Sequence, residues 1–305
     1  KRLTPSLCFG AFAVNFTWRE LGIQGSAMTT AIRQPAVAGR FYPGNAQRLR
    51  SEVETFTTAR ATAAQDALEP KIAAKGCIVP HAGYMYSGAV AGAVYRRLEL
   101  PGRTVILCPN HTGKGEPLAI MSEGAWRTPL GDVTIDAALA ESLKATLPLL
   151  DEDQEAHRFE HALEVQLPFL QLLKPGIQFV PIAIGTSNFE ALTALGDAIA
   201  VSLSTLPEPA LVIASSDMNH YESDSVTRVK DHRAIDQILA LDPRGLYDTV
   251  REGNISMCGY GPATIMLTAA RHMGATKAEL IRYATSGDVS GDHDMVVGYA
   301  GIAVY

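Results

Sequence analysis

The stretch Gly76-Cys77-Ile78-Val79-Pro80-His81 decides how this chain folds. A short apolar, partly β-branched run closed by a proline reads as a buried strand. Pro80 keeps the residue before it extended and so ends the strand, and Gly83 permits a tight turn just past the histidine. The same grammar returns in Thr104-Val105-Ile106-Leu107-Cys108-Pro109-Asn110-His111, with Gly113 following. It returns a third time, more loosely, in Leu211-Val212-Ile213-Ala214-Ser215-Ser216-Asp217-Met218-Asn219-His220. In an open α/β sheet, ligands collect outside the carboxyl ends of the strands. Three imidazoles at three such ends can therefore meet at one point, although they are far apart in the chain.

Working outward, helical spacing predicts helices over 45–58, 87–98, 135–146, 157–173, 188–203, 226–240, 243–251 and 262–273. Ser87 is the expected N-cap of the second. The last carries proline in its first turn, where a missing N–H costs nothing. Further strands are expected over 118–121, 178–184, 278–283 and 296–304. Strands alternate with helices almost throughout, which implies βαβ units. The expectation is a single α/β domain with a largely parallel or mixed central sheet, covered by helices on both faces.

Composition supports a globular protein and excludes several classes. The chain has 305 residues, 47% hydrophobic and 19% charged, with net charge −6. No basic stripe is available to neutralise phosphates, so no nucleic-acid partner is expected. No run approaches the ~20 apolar residues of a membrane span. The four cysteines, Cys8, Cys77, Cys108 and Cys258, form no CxxC pair, so a reducing cytoplasm is the simpler setting. Residues 1–27 carry Lys1-Arg2 and an apolar patch from Leu7 to Val14, without a small-residue cleavage site after it. They are read as a disordered or non-native arm, with Met28 as the start and 28–305 as the domain.

Four clusters carry candidate chemistry. His81 and His111 sit on parallel strand–proline–histidine–glycine turns, each readable as a metal ligand or as a loop cap. Asp217, three residues before His220, can ligate or can orient that histidine. Glu160-His161 and Glu164 lie on the expected 157–173 helix, where His161 and Glu164 share a face; substrate or proton handling suits them better than ligation. Cys258, in Met257-Cys258-Gly259-Tyr260-Gly261-Pro262, is the one cysteine of the folded region on a loop, just before a helix. It reads as a metal ligand, a nucleophile or a buried loop thiol. His157, His232 and His272 are read as surface or packing residues, as is His293, which could also line the same mouth.

Together these segments resemble the MEMO family, also known as protein B of the AmmeMemoRadiSam system. The resemblance rests on seven stretches in register: Ala36-Val37-Ala38-Gly39-Arg40-Phe41-Tyr42-Pro43, Pro80-His81-Ala82-Gly83-Tyr84, Pro109-Asn110-His111, Trp126-Arg127-Thr128-Pro129-Leu130-Gly131, Glu160-His161-Ala162-Leu163-Glu164-Val165-Gln166-Leu167-Pro168-Phe169, Ser215-Ser216-Asp217 and Cys258-Gly259. It implies a fold like that of class III extradiol dioxygenases and a pocket for iron(II) or copper, with no nucleotide cofactor. Carried over by motif, the metal ligands are His81, His111 and Cys258, with Asp217 and His220 lining the pocket. Some relatives have a second histidine directly after the one matching His111; here Thr112 stands in its place. A cysteine where such dioxygenases use a carboxylate makes the ligand set softer and ring cleavage doubtful. The resemblance leaves three functions open. They are a redox or oxygenase-like metal protein, a binding or adaptor protein with a peptide, small-molecule or radical-SAM protein partner, and a metal-free hydrolase using Cys258.

Overall fold

A computed structural model of the chain describes residues 31–58 and 70–305. The arm expected at 1–27, with Cys8 and Met28, lies outside the described residues. In chain order the first elements are β1 (Ile32–Arg33), α1 (Ala46–Thr57), β2 (Gly76–Val79), α2 (Tyr84–Arg97), β3 (Arg103–Pro109), β4 (Leu118–Ile120), β5 (Ala125–Thr128) and β6 (Gly131–Thr134). Next come α3 (Ala137–Thr146), β7 (Asp151–Glu152), α4 (Glu155–Arg158), α5 (Leu167–Leu173), β8 (Gln178–Ile184), α6 (Phe189–Ser204) and β9 (Leu211–Ser215). The chain closes with β10 (His220–Glu222), α7 (Asp224–Leu239), α8 (Pro243–Glu252), α9 (Tyr260–His272), β11 (Ala278–Thr285), α10 (Gly287–Ser290) and β12 (Val296–Val304).

Nine strands form one mixed sheet, ordered β10-β12-β2-β9-β3-β8-β4-β7, with β11 paired to β12. Its centre is the parallel set β2-β9-β3-β8, and β12 and β4 flank that set antiparallel. Register places Val79 opposite Ser215 and Leu107 opposite Ala214. The carboxyl ends of β2, β9 and β3 therefore lie side by side. Every residue of β2 and β9 is buried, as expected for strands covered on both faces.

Alternation along these strands divides the core in two. Ile78, Val105, Leu107 and Val212 point to one face, against α3, α6, α7, α8 and α9. Cys77, Val79, Ile106 and Ile213 point to the other, against α1, α2 and α5. On α1 the i, i+4 pair Leu49 and Val53 is fully buried, worth roughly 1.5–3 kcal/mol for each side chain. Among the described residues, no helix is long and apolar enough to cross a membrane.

Two local expectations need correction. The 157–173 helix does not form as one element. The short α4 ends at Arg158, an irregular turn follows, and a single 3₁₀ turn over Glu164–Gln166 leads into α5. Pro168 stands at the start of α5, where a longer helix would need its missing N–H. The turn has tertiary partners instead: Ala162 N donates to Glu160 Oε1 at 2.8 Å, and the Ala162 carbonyl accepts from Ser215 Oγ at 2.6 Å. His161 and Glu164 therefore do not share a helix face. Ser87 is not an N-cap, because α2 begins at Tyr84 and the Ser87 hydroxyl bonds the Ala82 carbonyl. A small second sheet, ordered β1-β5-β6, was not anticipated. Its hairpin turns at Pro129-Leu130, with Gly131 at φ 120°, a conformation that favours glycine.

Candidate metal centre

The convergence of imidazoles occurs, with one change of membership. His81, His111 and His161 each present a ligand atom, and these atoms lie within 4.8 Å of one another. Ring centroids are 5.2 Å apart for His81 and His111, 5.6 Å for His81 and His161, and 4.8 Å for His111 and His161. His81 follows β2 and is buried; His111 follows β3 and is exposed; His161 sits on the turn after α4. Because that turn is not helical, His161 swings in to stack on His111, their planes 25° apart.

Each ring is anchored from behind. His81 Nδ1 lies 3.0 Å from Ser215 Oγ, and its backbone N–H donates to Asp217 Oδ1 at 2.7 Å. His111 Nδ1 donates to Glu160 Oε1 at 3.0 Å, and its backbone N–H donates to Glu160 Oε2 at 2.7 Å. Glu160 Oε1 is also 3.4 Å from His161 Nδ1. For His111 the carboxylate behind Nδ1 takes the N–H and turns Nε2 toward the cleft, the arrangement that orients metal-binding histidines; the hydroxyl behind His81 Nδ1 can accept or donate. Phe41 packs against His161, ring centroids 4.7 Å apart.

Cys258, just before the Gly259 cap of α9, places Sγ 3.2 Å from His81 Nε2 and 3.7 Å from the Asp217 carbonyl. His220 opens β10, and its Nδ1 donates to the Ser256 carbonyl at 2.9 Å. Asp217 Oδ2 is 3.9 Å from His81 Nε2. A cleft of about 510 Å³ opens here, lined by Phe41, His111, His161, Asp217, His220 and Cys258, with Ala82, Gly83, Tyr221, Ser256 and Val297.

Burial sets the protonation states. It holds His81 well below its ordinary value, helped by the neighbouring His111 and His161, so the ring is neutral near pH 7. It also lowers His161. Burial works against a charged His111 too, but the hydrogen bond and charge of Glu160 outweigh it and the net movement is upward. Burial opposes an ionised Glu160, yet His111 and the Ala162 amide bring it down to about 2. Burial pushes Asp217 up, and it pushes the Cys258 thiol up as well, with help from the Asp217 charge.

A family model described as Memo-like protein matches residues 33–303. The chain belongs to the Memo-like family. Among its relatives in that family is a MEMO1 family protein of Methanothermobacter thermautotrophicus, 43% identical over 273 residues, covering 88% of this chain and 99% of the relative. A second, from Methanosarcina mazei, is 43% identical over 90% of this chain and 99% of its own length. A third, from Methanopyrus kandleri, is 43% identical over 88% and 98%. Among solved structures, the uncharacterized protein JW3007 from Escherichia coli K12 matches with a TM-score of 0.53 at 14% identity, covering 75% of this chain and 98% of that one. That likeness concerns the fold alone.

In this Memo-like chain the remaining candidates fall elsewhere. Glu164 is fully buried and is not among the residues lining the cleft; Arg33, Tyr42 and the amides of Ala36 and Val37 occupy its oxygens. His293 is exposed and stands 3.8 Å from Asp224, away from the cleft lining. His157 is a fully buried packing residue, with Nε2 on the Ala119 carbonyl. Glu160 belongs to the fourth sequence cluster, where its part is to hold His111 rather than to handle substrate or protons; Phe41, four residues beyond Val37 on the N-terminal segment, has no role in the sequence reading.

Proposed function

We propose that this chain binds a redox-active metal ion, iron or copper, at the cleft over the strand ends. His81, His111 and Cys258 are the donors, with His161 as a fourth. The observation that carries the reading is the meeting of three imidazole ligand atoms within 4.8 Å, backed by Ser215 and Glu160 on the far side of two of the rings. A nitrogen and sulfur donor set suits iron, copper and zinc better than hard cations. When bound, iron or copper supplies one-electron chemistry.

The chain's own groups fit such an ion. His81 and His161 are lowered and therefore offer lone pairs. The Cys258 thiol is pushed up by burial, so it needs a cation beside it to become a thiolate. The same fact leaves the metal-free nucleophile reading with less support. His220, in the cleft lining, donates Nδ1–H to the Ser256 carbonyl, which fixes the ring's orientation. Asp217 holds the His81 backbone and presents its second oxygen toward the same space.

The test is metal analysis of protein purified anaerobically under reducing conditions. Wild type should retain about one iron or copper ion per chain. His81→Ala should lose it, and Cys258→Ser should retain less. Wild type holding neither iron nor copper would falsify the reading.

A further inference from the structure

We propose that Tyr95, Gln166 and Ser215 form a buried relay that fixes the tautomer of His81, placing the proton on Nδ1 and the lone pair on Nε2. They are positioning residues: none lines the cleft. All three are buried, as is His81. They come from three separate elements: α2, the 3₁₀ turn before α5, and the end of β9.

The proton positions follow from which atoms can only accept. Gln166 Nε2 lies 3.0 Å from the Pro80 carbonyl, which has no proton, so that end of the side chain must be the NH₂ group. Its carbonyl end, Oε1, then accepts from the Tyr95 hydroxyl at 2.9 Å. The second N–H of the amide points at Ser215 Oγ, 2.8 Å away. Ser215 has one hydroxyl proton, and the Ala162 carbonyl, 2.6 Å off, takes it. Were that proton turned toward His81, two acceptor oxygens would face each other at 2.6 Å. Ser215 Oγ can therefore only accept from its two remaining neighbours, Gln166 Nε2 and His81 Nδ1. The His81 proton sits on Nδ1.

One consequence is that Nε2, 3.2 Å from Cys258 Sγ, bears the lone pair and accepts the thiol hydrogen. Another is that Ser215 serves two candidate donors at once, since the Ala162 carbonyl it holds belongs to the turn carrying His161. The effect on metal affinity rests on the metal-centre reading above; the tautomer does not.

The tautomer is read directly in metal-free, ¹⁵N-labelled protein by long-range proton–nitrogen correlation, with the His81 signals identified by their loss in His81→Ala. The expected result is a protonated Nδ1 and a bare Nε2 in wild type. Ser215→Ala should move His81 toward the Nε2–H form, and Ser215→Thr, which keeps the hydroxyl, should restore Nδ1–H. Zn(II), a redox-silent probe for the same donors, should bind Ser215→Ala about 10–100-fold more weakly than wild type. An Nε2–H signal for His81 in wild type overturns the proposal, whether or not the variants fold. So does a Ser215→Ala protein with unchanged tautomer. Wild type with the expected tautomer but no Zn(II) binding supports the relay and overturns the metal centre instead.

Discussion

Glu160 and Glu164 stand four residues apart, both fully buried, both ringed by donors, and they act in opposite directions. Glu160 turns toward the cleft. It holds His111 by ring and backbone and comes near His161. Glu164 turns toward the N-terminal segment, where it pairs with Arg33 and accepts from Ala36 N at 2.7 Å, Val37 N at 3.1 Å and Tyr42 OH at 2.6 Å. Arg33 also donates to the carbonyls of His157 and Glu160, at 3.0 and 2.7 Å, and lies over Trp126. One carboxylate faces imidazoles that can change their protonation or their ligand; the other faces a guanidinium that cannot. The first is suited to a site, the second to a fastening.

The largest way to break this comparison is Glu164→Ala. It strands Arg33 as a buried, unpaired charge and removes the acceptor of Ala36, Val37 and Tyr42. Unfolding in denaturant should show a loss of about 3–5 kcal/mol, while metal binding by the folded fraction stays close to wild type. Equal damage to binding would show that both carboxylates serve the site.

A third buried carboxylate sharpens the contrast. Asp231 accepts from Asn219 N at 2.8 Å and Tyr283 OH at 2.7 Å, with no ion pair in direct contact. Burial, only partly offset by those hydrogen bonds and by His232 and Arg228 nearby, raises it from 3.8 to about 6. The sign follows from linkage: the folded state holds this proton more tightly than the unfolded one. Its contribution is full below pH 3.8, falls between 3.8 and about 6, and is absent above. The change is about 3 kcal/mol at 1.36 kcal/mol per unit. Across that window Asp231→Asn should gain stability relative to wild type as pH rises; a flat difference would refute the assignment.

Glu160→Gln should act the other way from Glu164→Ala. The amide fills the same space but removes the charge that orients His111. Zn(II) affinity, measured by competition with a chelating dye, should fall about 10–100-fold, or about 1.4–2.7 kcal/mol. The loss of folding stability should be smaller than for Glu164→Ala. At the low end of that range falls Tyr42→Phe, which deletes one hydrogen bond to Glu164. It should lower stability by about 1.5 kcal/mol and leave Zn(II) binding unchanged.

The segment holding both glutamates is also where sequence reasoning lost its grip. Residues 157–173 are strong helix formers at plausible spacing, and only Pro168 argues for a break. A continuous helix would put His161 and Glu164 on one face and leave Glu160 without a role. The strands read differently. Expected in the apolar runs that begin at Gly76, Thr104 and Leu211, and over 178–184, they appear as β2, β3, β9 and β8, with starts shifted by one residue at most. Their β-branched runs are buried on both faces, so their own composition is enough to specify them.

By itself, the sequence determined a helix-covered α/β sheet and the histidines at the ends of β2 and β3, because strand burial and strand-ending prolines are local matters. It also determined that a loop cysteine stands just before α9. Tertiary structure alone decided that His161 joins those histidines, that Glu160 orients His111, and that Glu164 ties down the N-terminal segment. Those choices depend on which donor each carboxylate finds across the fold. Distant partners such as Arg33 and His111 set that, and no spacing within residues 157–173 encodes it.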